Sequence, residues 1–283
     1  MINLNEVVRY LEENYSELKP EIVTTAKNGG EKSGISVLVH EGFSMIYYPA
    51  EEDIDQQDIA KKILDQLEAA KEDSSLGNIK MPTTLSEVEN ILSIGVMNEK
   101  YEEMLKSYHV VMKRVEDLIL YPIVVLDQNM IFKVTENLLN LWNVTVDQVF
   151  DAALASKELN NVKLLSFLDC FSSEPVDYFV GQLDIPDDIT FLVLSSQGNC
   201  TTAGSIFSQE IQNKLVSTFP DGFYILPSSI YEVLIVPSRM AGAKDAEEFK
   251  SIVMDVNSTQ VSSEDYLSDS VYTIEKGKFK KIA

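Results

Sequence analysis

The sequence predicts an α+β fold of mixed helices and short, largely antiparallel sheets. Three observations carry that expectation. Apolar residues recur at helical spacing in several separate stretches, short apolar runs of strand length face one another across turn residues, and the composition suits a chain with a real core. Hydrophobic residues make up 45% and charged residues 24% of the 283 positions. With 12 Tyr, 12 Phe and 1 Trp, the chain carries far more aromatics than a disordered one. Its length fits one large domain or two modest ones.

Residues 3–18 read as an amphipathic helix. Leu4, Val7, Val8, Leu11, Tyr15 and Leu18 share one face, Asn3 with Glu6 resembles a capping box, and Pro20 lies beyond the end. Strands follow at 34–39 and 43–48, joined across His40-Glu41-Gly42 and closed by Pro49. Ala60, Ile63, Leu64 and Leu67 form the inner face of a helix over 53–73 whose flanks are acidic. After a loop of small residues at 74–78, Thr84 and Glu87 have the spacing of a second capping box opening a short helix. Tyr101, Met104, Leu105, Tyr108, Val111, Met112 and Val115 make a stripe that predicts a helix over 98–115. A boundary here separates 1–97, a helix–hairpin–helix α+β region, from 98–283, a C-terminal α+β domain.

The remainder alternates short elements. Strands at 123–126 and 130–134 flank a turn at Asp127-Gln128-Asn129, and helices follow at 137–142 and 145–155. A strand at 190–195, a helix at 204–219, strands at 222–226 and 231–236 and a helix at 245–256 come next. The chain ends in a hairpin of 271–274 and 279–282 across Lys276-Gly277-Lys278.

Net charge is −22, which opposes phosphate backbones and anionic lipid surfaces and argues against direct nucleic-acid or membrane binding. The longest apolar run, 118–126, is far below the roughly 20 residues of a membrane span. The opening Met1-Ile2-Asn3-Leu4-Asn5-Glu6 lacks the features of a signal peptide, and two cysteines are too few for a disulfide framework. A soluble cytoplasmic protein is the expectation. Charge is unevenly spread. Between Leu164 and Ser238 the one basic residue is Lys214, against Asp169, Glu174, Asp177, Asp184, Asp187, Asp188, Glu210, Asp221 and Glu232. Lys276, Lys278, Lys280 and Lys281 cluster near the C-terminus. Such asymmetry marks a partner surface, a self-complementary contact or simply uneven hydration.

Motifs for chemistry are sparse. Lys27-Asn28-Gly29-Gly30-Glu31-Lys32-Ser33-Gly34 is unlike a phosphate loop, because Glu31 occupies a required glycine and a strand follows instead of a helix, so it reads as a glycine turn. His40 and His109 have no neighbouring ligand partners. Asp184, Asp187 and Asp188 could offer oxygens to a hard cation but lack the glycine and closing glutamate of a calcium loop. Cys170 and Cys200 lie in an acidic stretch that disfavours a thiolate. Ser228 and Ser229 sit between two strands without a nucleophile elbow, and their hydroxyls suit bonding to local amides. No cofactor is implied.

The run Tyr224-Ile225-Leu226-Pro227-Ser228-Ser229-Ile230-Tyr231-Glu232-Val233 resembles the signature of an uncharacterised bacterial family, domain of unknown function 5688. Ala26 to Gly30, Asn140 to Thr145, Met254 to Asn257 and Leu267-Ser268-Asp269-Ser270-Val271-Tyr272 are similar to it in the same order. The resemblance implies a bacterial source and brings no activity with it. Tyr231 stands where the family pattern has histidine, and a phenol of pKa about 10 is a poor base at neutral pH.

Two functions follow as expectations. The first is a non-catalytic, acidic interaction protein that engages a basic protein through Asp169, Glu174, Asp177, Asp184, Asp187 and Asp188. The alternative is a hydrolase or other small-molecule enzyme with a site at Ser228, Ser229 and Glu232, joined in space by Asn257 or Asp269.

Overall fold

In the computed structural model the chain divides into two compact units, Met1–Pro82 and Thr83–Ala283. The structure describes residues 3–40, 43–50, 55–72, 81–127, 130–180, 185–186, 189–196, 202–227, 229–242 and 244–283. Segment 83–97, grouped with the N-terminal region on sequence grounds, carries a strand that pairs within the second unit. The fold is α+β, and the described strand pairs are antiparallel. Among the described residues no helix is long and apolar enough to cross a membrane.

The first unit runs α1 (Leu4–Asn14), β1 (Glu21–Lys27), β2 (Gly30–His40), β3 (Phe43–Tyr47) and α2 (Gln56–Glu72). The Asn3 side chain accepts the Asn5 amide at 3.2 Å and donates to the Glu6 carboxylate at 3.1 Å, which satisfies a free N–H of the first turn. Val7 and Leu11 of α1 and Ile59, Ala60, Ile63 and Leu67 of α2 share a core with Ile35, Val37 and Val39 of β2. The β2–β3 hairpin is as expected, its turn at 41–42 lying outside the described residues, as does the loop at 74–78. Strand β1 is additional. Ile22, Val23, Thr24 and Thr25 are strand-forming types without an apolar alternation to mark them, and the glycine turn read within 27–34 closes a hairpin with β2, with Gly29 at φ 90° and Gly30 at φ 129°.

The second unit continues with β4 (Leu92–Asn98), α3 (Glu102–Ser107), β5 (Lys113–Val115), β6 (Leu118–Asp127), β7 (Met130–Lys133), α4 (Glu136–Trp142), α5 (Val146–Ala155) and α6 (Lys157–Asn160). It ends with β8 (Lys163–Ser166), β9 (Leu192–Ser195), α7 (Gln209–Thr218), β10 (Phe223–Leu226), β11 (Val233–Pro237), α8 (Ala246–Thr259), β12 (Tyr272–Glu275) and β13 (Lys278–Lys281).

Three of the anticipated elements are different in the structure. The stripe over 98–115 is not one helix: α3 stops at Ser107 because His109 turns to φ 52°, its N–H bonding Lys106 O while Val110 N bonds Leu105 O. The apolar spacing is real, but it is met by a short helix and then by strand-like Val110 and Val111 packed from the far side of that turn. Thr84 opens only a 3₁₀ turn, Leu85–Glu87, without capping it; the Glu87 carboxylate instead accepts the Thr83 amide at 2.8 Å. The helix foreseen at 204–219 is a 3₁₀ stretch, Thr202–Phe207, followed by α7.

Strand β6 is the spine of one sheet, pairing β4 along one edge and β5 then β7 along the other. Pro122 sits in the gap between the end of β5 pairing at Leu120 and the start of β7 pairing at Ile123, so its missing N–H breaks no ladder bond. The second sheet has the order β13-β12-β10-β11-β9-β8. One face contributes Leu164, Leu192, Leu194, Ile225, Val233, Ile235 and Tyr272 to the main core with Trp142 and Phe150. On the other face Leu226 and Val236 meet Phe249 and Val253 of α8. At one edge, β13 presents Lys278, Lys280 and Lys281. At the other, β8 is closed by its own chain: Leu164 N donates to the Asp177 carboxylate at 3.1 Å, and Tyr178 N donates to Leu164 O at 2.8 Å.

Candidate functional site

The chain that leaves β8 makes a tight 3₁₀ turn, Asp169–Phe171. Asp169 builds it: its carboxylate accepts Ser166 Oγ at 2.5 Å and the Val176 amide at 3.4 Å, while its own amide donates to Ser166 Oγ at 3.1 Å. The turn so fixed turns its apolar side chains outward. Phe167, Leu168 and Phe171 are 54%, 80% and 78% exposed, and Val176 and Val180 are exposed beyond them. Phe167 packs edge-on to Phe171 at 5.3 Å and touches Phe191 at 6.2 Å. Phe191 in turn packs on the α8 side of the sheet, so the exposed aromatics extend that core to the surface.

Several carboxylates lie on this loop or near the turn. Glu174 is exposed on the same loop, and Asp177, which accepts the amides of Leu164 and Phe179, follows it. Glu232 comes from the turn before β11. The Cys170 thiol is pushed up from its ordinary value by burial first, then by Glu232 and Asp169, which places both carboxylates within electrostatic reach of the turn. The one cation of the 164–238 stretch, Lys214, is on α7, ion-paired with Glu210 at 2.8 Å and with its ammonium 5.8 Å from the Phe179 ring centroid.

A second cluster is its inverse. Asp117, in the turn between β5 and β6, is half-buried against segment 267–272. Its carboxylate accepts Tyr272 OH at 2.5 Å, Ser270 Oγ at 2.8 Å and Ser268 Oγ at 3.0 Å, with Lys281 Nζ at 3.2 Å. Burial raises its pKa, but the hydroxyls of Tyr272, Ser270 and Ser268 and the Lys281 ammonium outweigh that and hold it below the ordinary carboxylate value. Tyr272 is pushed far up by burial and by Asp117. Asn257 supports the segment by donating to Ser268 O at 3.0 Å and to Asp269 at 2.8 Å, and Tyr266, facing Asp269, is pushed up to about 12 by burial first. Ser268, Ser270 and Tyr272 are buried, while Asp117 and Lys281 remain partly exposed.

These are the residues of the Leu-Ser-Asp-x-Val-Tyr ending, and their role in closing the fold matches a likeness that runs through most of the chain. The model of a family described as a family of unknown function, DUF5688, matches residues 6–276. The chain belongs to that family. No curated protein and no solved structure matches it.

In this DUF5688 chain Ser229 of the Pro-Ser-Ser signature makes local bonds. Ser229 Oγ accepts the amides of Tyr231 at 3.2 Å and Glu232 at 3.3 Å, the ST-type bonding expected for it, and Ser229 bridges Tyr266. Asn257 and Asp269 bond each other instead of Ser229. Glu232 is exposed on the patch side. Ser228, Asp184, Asp187, Asp188 and Cys200 lie outside the described residues. Among the described residues no group of His, Cys, Asp and Glu is arranged to hold a metal.

Asp117 and the outward aromatics were missed by motif reading. Asp117 had no signal, being one acid in a turn. The aromatics had one: apolar residues continue through Phe167, Leu168 and Phe171 after β8 has ended, where a loop would ordinarily be polar.

Proposed function

We propose that this protein is a non-catalytic interaction module that holds a basic protein partner on the acid-framed surface at the β8 edge. The observation that carries the reading is the pairing of three solvent-facing apolar side chains, Phe167, Leu168 and Phe171, with a stretch whose one cation is already neutralised by its helix neighbour. Exposed apolar groups in a polar rim are characteristic of interaction sites, and a rim of one charge sign selects the partner's sign and accelerates encounter. The net charge of −22 works in the same direction, attracting cations and repelling nucleic acid. The same reading puts the protein in a bacterial cytoplasm, which the family resemblance and two cysteines favour.

Affinity capture compares the full chain with a Glu174→Lys/Glu232→Lys variant at low and moderate salt. Proteins with basic surfaces are expected to be retained by the native chain, released as salt rises, and lost from the variant. Recovery of no basic protein at either salt, or capture indifferent to charge reversal, contradicts the reading.

A further inference from the structure

We infer that the 167–171 turn is the anchor of this surface, and that its occupant is an amphipathic segment that sets an apolar face on Phe167, Leu168 and Phe171 and lysine or arginine against the surrounding carboxylates. The inference rests on the interaction reading above and deepens it by naming the contact and the form of the partner.

Three features argue for it. The turn is held before anything binds: Asp169 ties Ser166 to Val176, and Phe167 lies between Phe171 and Phe191. A preorganised turn loses little freedom on association. Its anchors are also of the kind that dominates interfaces, large apolar side chains at the centre of a patch with charges at its rim. A lysine tail without apolar groups would leave Leu168 and Phe171 in water, and an uncharged apolar segment would desolvate Glu174 and Glu232 without pairing them.

A second copy of the chain is a poorer occupant. Two such patches face to face would oppose Glu174, Asp177 and Glu232 with themselves. The lysine edge on β13 is partly committed, with Lys280 on Glu275 at 2.9 Å and Lys281 on Asp117 at 3.2 Å. What remains is a separate partner whose cations flank an apolar stripe.

The test titrates the full chain with three fluorescent synthetic peptides: a Leu/Lys amphipathic helix, a Gly/Lys peptide of equal charge and a Leu/Glu helix. Each is measured against the native protein and against Leu168→Ser/Phe171→Ser, whose fold is checked by urea unfolding. The Leu/Lys helix is expected to bind the native chain at least about tenfold more tightly than the Gly/Lys peptide, and to lose that advantage on the double variant, as truncation of interface anchors does. Equal binding of both lysine peptides, unchanged in the variant, overturns the anchor while leaving electrostatic capture standing. Failure of both lysine peptides overturns the interaction reading itself. Tight binding of the Leu/Glu helix overturns the cationic partner, and a concentration-dependent dimer abolished by the double variant assigns the patch to a second copy instead.

Discussion

Segment 266–272 and the 167–171 turn belong to the same unit and invert each other. In the first, Ser268, Ser270 and Tyr272 are polar and buried; in the second, Phe167, Leu168 and Phe171 are apolar and exposed. The buried hydroxyls are costly unless bonded, and all three are spent on one carboxylate, Asp117. The three hydroxyls are bonded to Asp117 and to one another, which suits them to fixing the β5–β6 turn against β12. The apolar turn leaves its potential unsatisfied, and water is what it faces. The difference separates scaffold from proposed site: the recognisable motif helps build the fold, and the patch outside it is the surface proposed to meet a partner.

That contrast can be broken from the scaffold side first. Asp117→Ala leaves three buried hydroxyls and Lys281 without their acceptor, and a loss of about 3 kcal/mol is expected in urea unfolding, the scale at which one partner of a buried charged network is removed. A change below about 1 kcal/mol would mean the knot is incidental to stability. The acid limb follows from the same group. Folded Asp117 lies below the ordinary value, so on lowering pH the unfolded chain takes up this proton first. Its stabilisation is fully present above the unfolded value of about 3.9 and is lost as pH falls from there through the folded value. Native minus Asp117→Asn stability, measured across that range, should shrink as acid is added; a difference independent of pH would contradict the assignment.

Tyr272→Phe keeps the ring stacked on Phe279 but removes the hydroxyl shared with Asp117 and Ser268, and about 1.5 kcal/mol is expected. Ser229→Ala should cost about 1 kcal/mol through its two lost amide bonds. A larger loss would give that turn more weight than its geometry does. Smallest in stability is Phe171→Ser on the exposed turn, expected within about 0.5 kcal/mol of native because its ring is already in water. On the proposed reading its effect falls on binding.

The sequence made much of the fold legible wherever local signals and tertiary structure agree. Asn3, Thr145 and Asp245 cap the helices they precede, with full capping boxes at the latter two. The closing hairpin is present as expected, but its turn is the two residues Lys276-Gly277, both with positive φ, and Lys278 belongs to β13 opposite Glu275. Failures came where a pattern was shared between elements. The 98–115 stripe satisfied helical spacing across a left-handed His109 that nothing local announces, and β4 and β8 are short apolar strands defined by their partners more than by period. The acid-rich composition of 164–238 drew attention to the stretch that also carries the exposed apolar turn. Two of its acids, Asp169 and Asp177, have a job composition cannot show, holding the loop in place by backbone bonds. Which apolar residues face out depends on where β8 stops and the Asp169 turn begins, a property of hydrogen bonds between residues up to thirteen apart in sequence.

The most direct measurement is amide chemical-shift mapping of the full chain during titration with the Leu/Lys helix. The account predicts saturable shifts confined to residues 166–180 and 230–232, with the amides of 266–272 unmoved. Shifts centred on Lys276 to Lys281, on the first unit, or spread evenly over acidic residues throughout the chain would contradict it.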